Sequence, residues 1–175
     1  MISKISLGIF GAWFCLVVIG LYVSMQTSQS PFDPEYRLAN ASGVMDFDTQ
    51  LATQFLAQYE HTANTVFHIQ QGDCRCNIYS EQHIRILNNL GRENQLKSKV
   101  IDISTAPWLR DWIPSVPAIV VFNETSRLAY LGPYAPGPFC AVADSFVDNI
   151  IKTLNTNEYL GAVIIHDTQG CYCNL

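Results

Sequence analysis

The sequence predicts an α/β domain carried behind a single N-terminal apolar helix, and three observations predict it. An uncharged run from Ile5 to Met25 opens the chain. Behind it, segments with apolar residues at helical spacing alternate with short apolar strands, the pattern of helices layered on a sheet. Two Cys-x-Cys pairs, Cys74-Arg75-Cys76 and Cys171-Tyr172-Cys173, bracket most of that pattern. The first pair falls where a strand hands over to a helix.

The opening run is long enough to cross a hydrocarbon core of about 30 Å as a helix rising about 1.5 Å per residue. A cleavable signal peptide has a shorter apolar region, about 7–15 residues, ending in small residues. Tyr22-Val23-Ser24-Met25 is a poor cleavage site, so residues 1–25 are read as an uncleaved anchor. Lys4 is the only basic residue ahead of the span and Arg37 the next after it. That bias puts the N-terminus in the cytoplasm and the rest of the chain in a bacterial periplasm, held to the inner membrane through residues 5–25. Cys15 lies within the span without the small residues of a lipoprotein site. Of six cysteines, five remain outside, an odd number in an oxidising compartment. The formal charge is −5 with no basic run, which argues against nucleic acid as a partner.

Residues 26–42, polar and carrying Pro31 and Pro34, read as a linker. The domain proper is expected over 43–158. Asp46 or Asp48 can cap a helix running to about Glu60, with Phe47, Leu51, Phe55, Leu56 and Tyr59 as its apolar stripe. Thr65–Gln70 reads as a strand, Gln71-Gly72-Asp73 as a turn, and Asn77 to Leu90 as a helix. A second strand follows at 99–104, then a brief helix opened by Pro107. Ile113 to Phe122 is a proline-led run whose continuous apolar character implies burial on both faces. Arg127–Leu131 is its hairpin partner. An amphipathic helix is expected from Phe139 to Leu154, with Cys140 in its first turn. Residues 159–175 form a tail: a strand at 161–166, a turn at 167–170, then the second cysteine pair.

Thiols at a strand–helix junction sit beside unpaired amides and the positive end of a helix dipole, which lower a cysteine pKa from about 8.5. A structural bridge gains from closing a long loop, and Cys74 to Cys76 would close almost none. A bridge between them is still within reach, because residues i and i+2 have Cα atoms about 5.5–7 Å apart against about 4.4–6.8 Å for disulfides. The tail pair can exchange with the first pair, bridge within itself, or staple to Cys140.

The order of elements, Cys74 and Cys76 at the junction, and Val116-Pro117 leading Ala118-Ile119-Val120-Val121-Phe122 resemble the thioredoxin fold over roughly residues 64–154. The chain also resembles an uncharacterised family of bacterial membrane-anchored thioredoxin-like domains. The resemblance implies a three-layer sandwich with a central mixed sheet, and a cis Val116-Pro117 peptide lying against the cysteine pair. Two departures stand out. Thioredoxins place two residues between their cysteines, whereas Arg75 stands alone here. Thioredoxins often carry a buried acid in the preceding strand, for which His68, Gln70 and Asp73 are the candidates.

Three functions follow. The first is a thiol–disulfide oxidoreductase acting on protein thiols or disulfides without a cofactor. In it Cys74 attacks as the more exposed thiolate, Cys76 resolves, and Pro117 shapes the substrate groove. His68 serves as proton acceptor, while Cys171, Cys173 and Cys140 relay or resolve. The second is a thiolate metal site for Cu(I), zinc or an iron–sulfur centre, built from Cys74, Cys76, Cys171 and Cys173 with His68 and His166 as further ligands. The third is a redox-inactive binding module whose cysteines serve only as bridges.

Overall fold

The computed structural model describes residues 4–27, 29–93, 95–154 and 161–175. Helix α1 (Lys4–Thr27) contains the one stretch among the described residues, Gly8–Met25, long and apolar enough to span a membrane. Its large side chains, from Ile9 and Phe10 through Trp13 to Met25, are exposed.

The domain is built on a five-stranded mixed sheet of β2 (Thr65–Gln70), β3 (Lys97–Asp102), β5 (Ala118–Phe122), β6 (Leu128–Gly132) and β7 (Val163–Ile164), in the order β3-β2-β5-β6-β7. β2 runs parallel to β3 and antiparallel to β5, and β6 antiparallel to β5 but parallel to β7. β5 is the central strand, and all five of its residues are buried, as its unbroken apolar sequence requires. The outer strand β3 leaves Lys97, Ser98, Lys99 and Val100 exposed. Charged residues on an exposed edge discourage pairing with other chains.

Helices cover both faces. On one, α3 (Phe47–Gln58) lays Phe47, Leu51 and Phe55 against Phe67, Ile69, Val120 and Phe122. On the other, α4 (Asn77–Glu93) and α5 (Val147–Thr153) bring Leu87, Val147 and Ile151 to Val66, Ile119, Val121 and Tyr130. Alternate residues of β2 and β5 divide between the two clusters, the period-two consequence of a pleated strand. A 3-10 turn at Pro107–Asp111 has its proline in the first turn, where no amide donor is needed.

The strand expected at 99–104 lies at Lys97–Asp102, that at 161–166 narrows to Val163–Ile164, and the turn at 167–170 ends in a short strand, Gln169–Gly170. Two further segments differ more. The stretch expected as a tether packs on the domain: Phe32 and Leu38 are fully buried, and Asp33 accepts hydrogen bonds from the Arg37 and Ala39 amides to cap α2 (Arg37–Ser42). Strand β1 (Ser30–Pro31) pairs with β8 (Gln169–Gly170). Its prolines punctuate an apolar anchor rather than a free linker. The long helix expected over 139–154 is also shorter. Cys140 takes a left-handed φ of 47°, a single turn follows at Val142–Asp144, and α5 begins at Val147. The Ser145 hydroxyl accepts from the Val147 and Asp148 amides and donates to the Asp148 carboxylate, setting a new helix start there. Cys140 therefore lies ahead of that helix, not in its first turn.

Candidate functional site

β2 delivers the chain to a tight turn. The Cys74 amide donates to Gln71 O at 2.9 Å, and the Asn77 side-chain amide donates to the same oxygen at 2.6 Å. The Asn77 and Tyr79 amides then donate to Cys74 O and Cys76 O, starting α4. Hydrogen bonds from the Ser104 hydroxyl and amide, with a further one from the Gly72 amide, hold the Asp102 carboxyl below the usual carboxylate range. This fastens the turn to the end of β3. Cys76 is the residue immediately before α4, at the positive end of that helix's dipole.

The two Cys-x-Cys pairs meet head to tail. Cys74 is bridged to Cys173, with Cα atoms 6.0 Å apart, and Cys76 to Cys171, with Cα atoms 5.5 Å apart. The sulfurs of Cys74, Cys76 and Cys173 all lie within 4.8 Å of one another. No bridge joins Cys74 to Cys76 or Cys171 to Cys173. Cys74 is not the more exposed of its pair: Cys74 and Cys76 are 6% and 7% exposed. It does line an open cleft of about 540 Å³ with Gly72, Arg75, Asn77, Ile78 and Arg85. Cys171 and Cys173 are half-buried.

The tail is seated by more than sulfur. β9 (Cys173–Asn174) pairs antiparallel with β4 (Ser115–Val116), placing Cys173 opposite Val116. The Leu175 amide donates to Pro114 O, and the Ser115 hydroxyl to the Asn174 side chain. Val116-Pro117 is cis, and Cys74 Sγ lies 3.7 Å from Val116 O. Tyr172, between the tail cysteines, is 7% exposed, donates to Ala135 O at 2.9 Å and stands edge-on to Phe32. A Cβ on Gly170 would come within 2.7 Å of the Tyr172 hydroxyl, so only glycine leaves room for that ring. Sequence reasoning missed Tyr172, Phe32 and Gly170. An aromatic flanked by two cysteines and preceded by glycine was the signal for them.

The other expected site residues stand elsewhere. His68 is fully buried on the sheet face opposite Phe67 and Ile69, the face that packs with Cys74 and Cys76. Its Nδ1 is 2.7 Å from the Tyr134 hydroxyl and its Nε2 3.0 Å from Ser98 Oγ. Both ring nitrogens are thus engaged away from the sulfurs, and the histidine cannot take a proton from Cys74. Cys140 packs with Tyr134, Ala135 and Val147, unbridged, with Sγ 3.6 Å from His83 Nε2. The same nitrogen is 2.7 Å from Cys140 O. Burial pushes the Cys140 thiol up to about 11, which leaves it protonated and unreactive at neutral pH. His166 lines a separate cleft with Asp33, Tyr36 and Asp167. Four thiolates for a metal exist only once both bridges are reduced, and neither histidine joins them.

Burial lowers the His68 imidazole from its ordinary 6.5 to about 4. A group held neutral by the fold contributes fully above the unfolded value and is lost as the pH falls toward the folded one. Stability is therefore expected to fall by about 2 kcal/mol between pH 7 and pH 5 from this residue. Urea unfolding at the two pH values measures the loss, and a His68→Asn variant with an equally steep profile would assign it elsewhere.

Residues 44–175, a span taking in both cysteine pairs, match a family described as a domain of unknown function, DUF6436. The chain belongs to that family. No curated protein and no solved structure matches it. The matched span runs without a break through the tail, which the bridges and β9 likewise join to the domain.

Proposed function

We propose that this protein is a membrane-anchored, thioredoxin-like thiol–disulfide oxidoreductase of the bacterial periplasm, acting on protein thiols or disulfides. One observation carries the reading: three sulfurs from two Cys-x-Cys motifs lie within 4.8 Å of one another, at a strand–helix junction beside Val116-Pro117. Sulfurs that close exchange partners with little movement of the backbone. In the reduced protein Cys74, facing the cleft, attacks a substrate disulfide as thiolate and expels one substrate thiolate. Cys76, stabilised as thiolate at the head of α4, then attacks Cys74 Sγ. That step forms Cys74–Cys76 and releases the second substrate thiolate. The tail cysteines take up the oxidation by exchange. Pro117 shapes the floor of the groove.

A second reading has its own support. The bridges span sequence separations of 99 and 95 residues, and bridges that close long loops stabilise most in the loop-entropy account. On that reading the domain binds a partner and its cysteines are staples.

The test uses the full chain in detergent micelles, equilibrated in glutathione buffers and assayed for reduction of insulin by dithiothreitol, with metal content measured alongside. Bridges that titrate with buffer potential, and catalysis that falls to the uncatalysed rate in Cys74→Ser, are expected. Bridges indifferent to the buffer would favour the staple. Stoichiometric metal on the reduced thiols would favour the metal site.

A further inference from the structure

The two bridges are arranged as a ladder between motifs, and exposure differs across it. Cys74 and Cys76 are buried, whereas their partners Cys173 and Cys171 are half-buried. The tail residues are thus the more solvent-accessible side of each bridge, while Cys74 borders the open cleft. We infer that the four cysteines form a latch: a thiol-catalysed rearrangement turns Cys74–Cys173 and Cys76–Cys171 into Cys74–Cys76 and Cys171–Cys173, freeing the tail from β4. This regulation rests on the exchange chemistry proposed above.

The steps balance without net oxidation or reduction. A thiolate RS⁻ attacks Cys173 Sγ, breaking Cys74–Cys173, and Cys74 departs as thiolate at the α4 end of the turn. Cys74 attacks Cys76 Sγ, which lies within 4.8 Å, and expels Cys171 as thiolate. Cys171 attacks Cys173 Sγ in the mixed disulfide and returns RS⁻. No electrons are gained or lost, and the thiol is regenerated.

The two bonded forms differ in what they cover. With the bridges between motifs, Cys173 sits opposite Val116, and Leu175 is hydrogen-bonded to Pro114. The backbone edge of β4 is closed by the chain's own tail. With the bridges within motifs, hydrogen bonds and packing alone hold the tail, among them β9 on β4, β8 on β1, Leu175 on Pro114, Ser115 on Asn174, Cys171 on the Gly137 carbonyl and the Tyr172 hydroxyl on Ala135. The freed edge can take an extended, cysteine-bearing polypeptide by strand addition, beside an oxidised Cys74–Cys76 pair ready to receive a thiolate.

Trypsin reads the pairing directly. Cleavage after Arg37, Arg75, Arg85 and Lys152 puts Cys74, Cys76 and the tail pair on three peptides, 38–75, 76–85 and 153–175. The full chain in micelles is incubated with a sub-stoichiometric amount of reduced glutathione, blocked with N-ethylmaleimide and digested without reductant. Loss of the three-peptide assembly is expected, replaced by a 38–75/76–85 pair and an internally bridged 153–175. Amide exchange at 173–175 should accelerate in step. A three-peptide assembly that persists while the protein still catalyses insulin reduction would overturn the latch and leave the oxidoreductase standing. An assembly that persists with no catalysis would overturn both.

Discussion

Reducing both bridges is expected to lower the stability of the folded chain by about 7 kcal/mol, and removing either one alone by only about 2 kcal/mol. The difference follows from nesting. Whichever bridge is present closes a loop of nearly a hundred residues, worth about 4.7 kcal/mol in loop entropy. The second then closes only the small ring between the motifs, worth about 2 kcal/mol. Domains of this size are stable by about 5–15 kcal/mol, so full reduction brings the protein to the margin of unfolding. Urea unfolding of the oxidised and reduced chain, of Cys74→Ser with Cys173→Ser, and of Cys76→Ser with Cys171→Ser gives the four values. Single-bridge variants that each lose as much as full reduction would sink the nested account.

Phe55→Ala, with the bridges intact, is expected to cost about 3–5 kcal/mol. Phe55 is fully buried, with ring centroids 4.9 Å from Phe67, 5.0 Å from Trp108 and 5.1 Å from Phe122. It joins α3, the central strands and the 3-10 turn at one point, so its removal leaves a cavity that none of the three can fill without leaving the others. Aromatic pairs add about 0.5–1.5 kcal/mol beyond buried area, which places the expected loss toward the upper end. The urea midpoint is the readout, and a loss under about 1 kcal/mol would mean that α3 collapses onto the sheet.

Much of this architecture is written locally. Thr65–Gln70 forms a strand over the predicted residues, and Phe47, Leu51 and Phe55 form the buried stripe of α3. These elements are legible because their period shows within a few residues. The cis bond before Pro117 followed from a resemblance, not from the local pattern. What local pattern could not supply is contact across the chain. Cys74 pairs with Cys173 because β9 docks on β4, and no spacing rule near either cysteine encodes that docking. The burial of Phe32 is hidden for the same reason, since the Tyr172 ring packed against it comes from the tail. Nearness in sequence places His68 by the cysteines, but on the pleated β2 it alternates with Phe67 and Ile69, which pack with Cys74 and Cys76, and so it points to the other face. The end of the predicted helix at 139–154 was legible after all, in Ser145 and Asp148 spaced as a helix start, and went unread because the apolar stripe ran past it.

The pairing of Cys76 with Cys171 also sets a timetable. At roughly 5–20 residues per second, the separation of 95 residues means that Cys76 is made roughly 5–20 s before its partner. Throughout that interval Cys74 is the one thiol close to it along the chain. A newborn molecule therefore passes through a period in which its first cysteine pair is complete and its second does not yet exist. The arrangement of the finished protein can form only after the last few residues of the chain have been made.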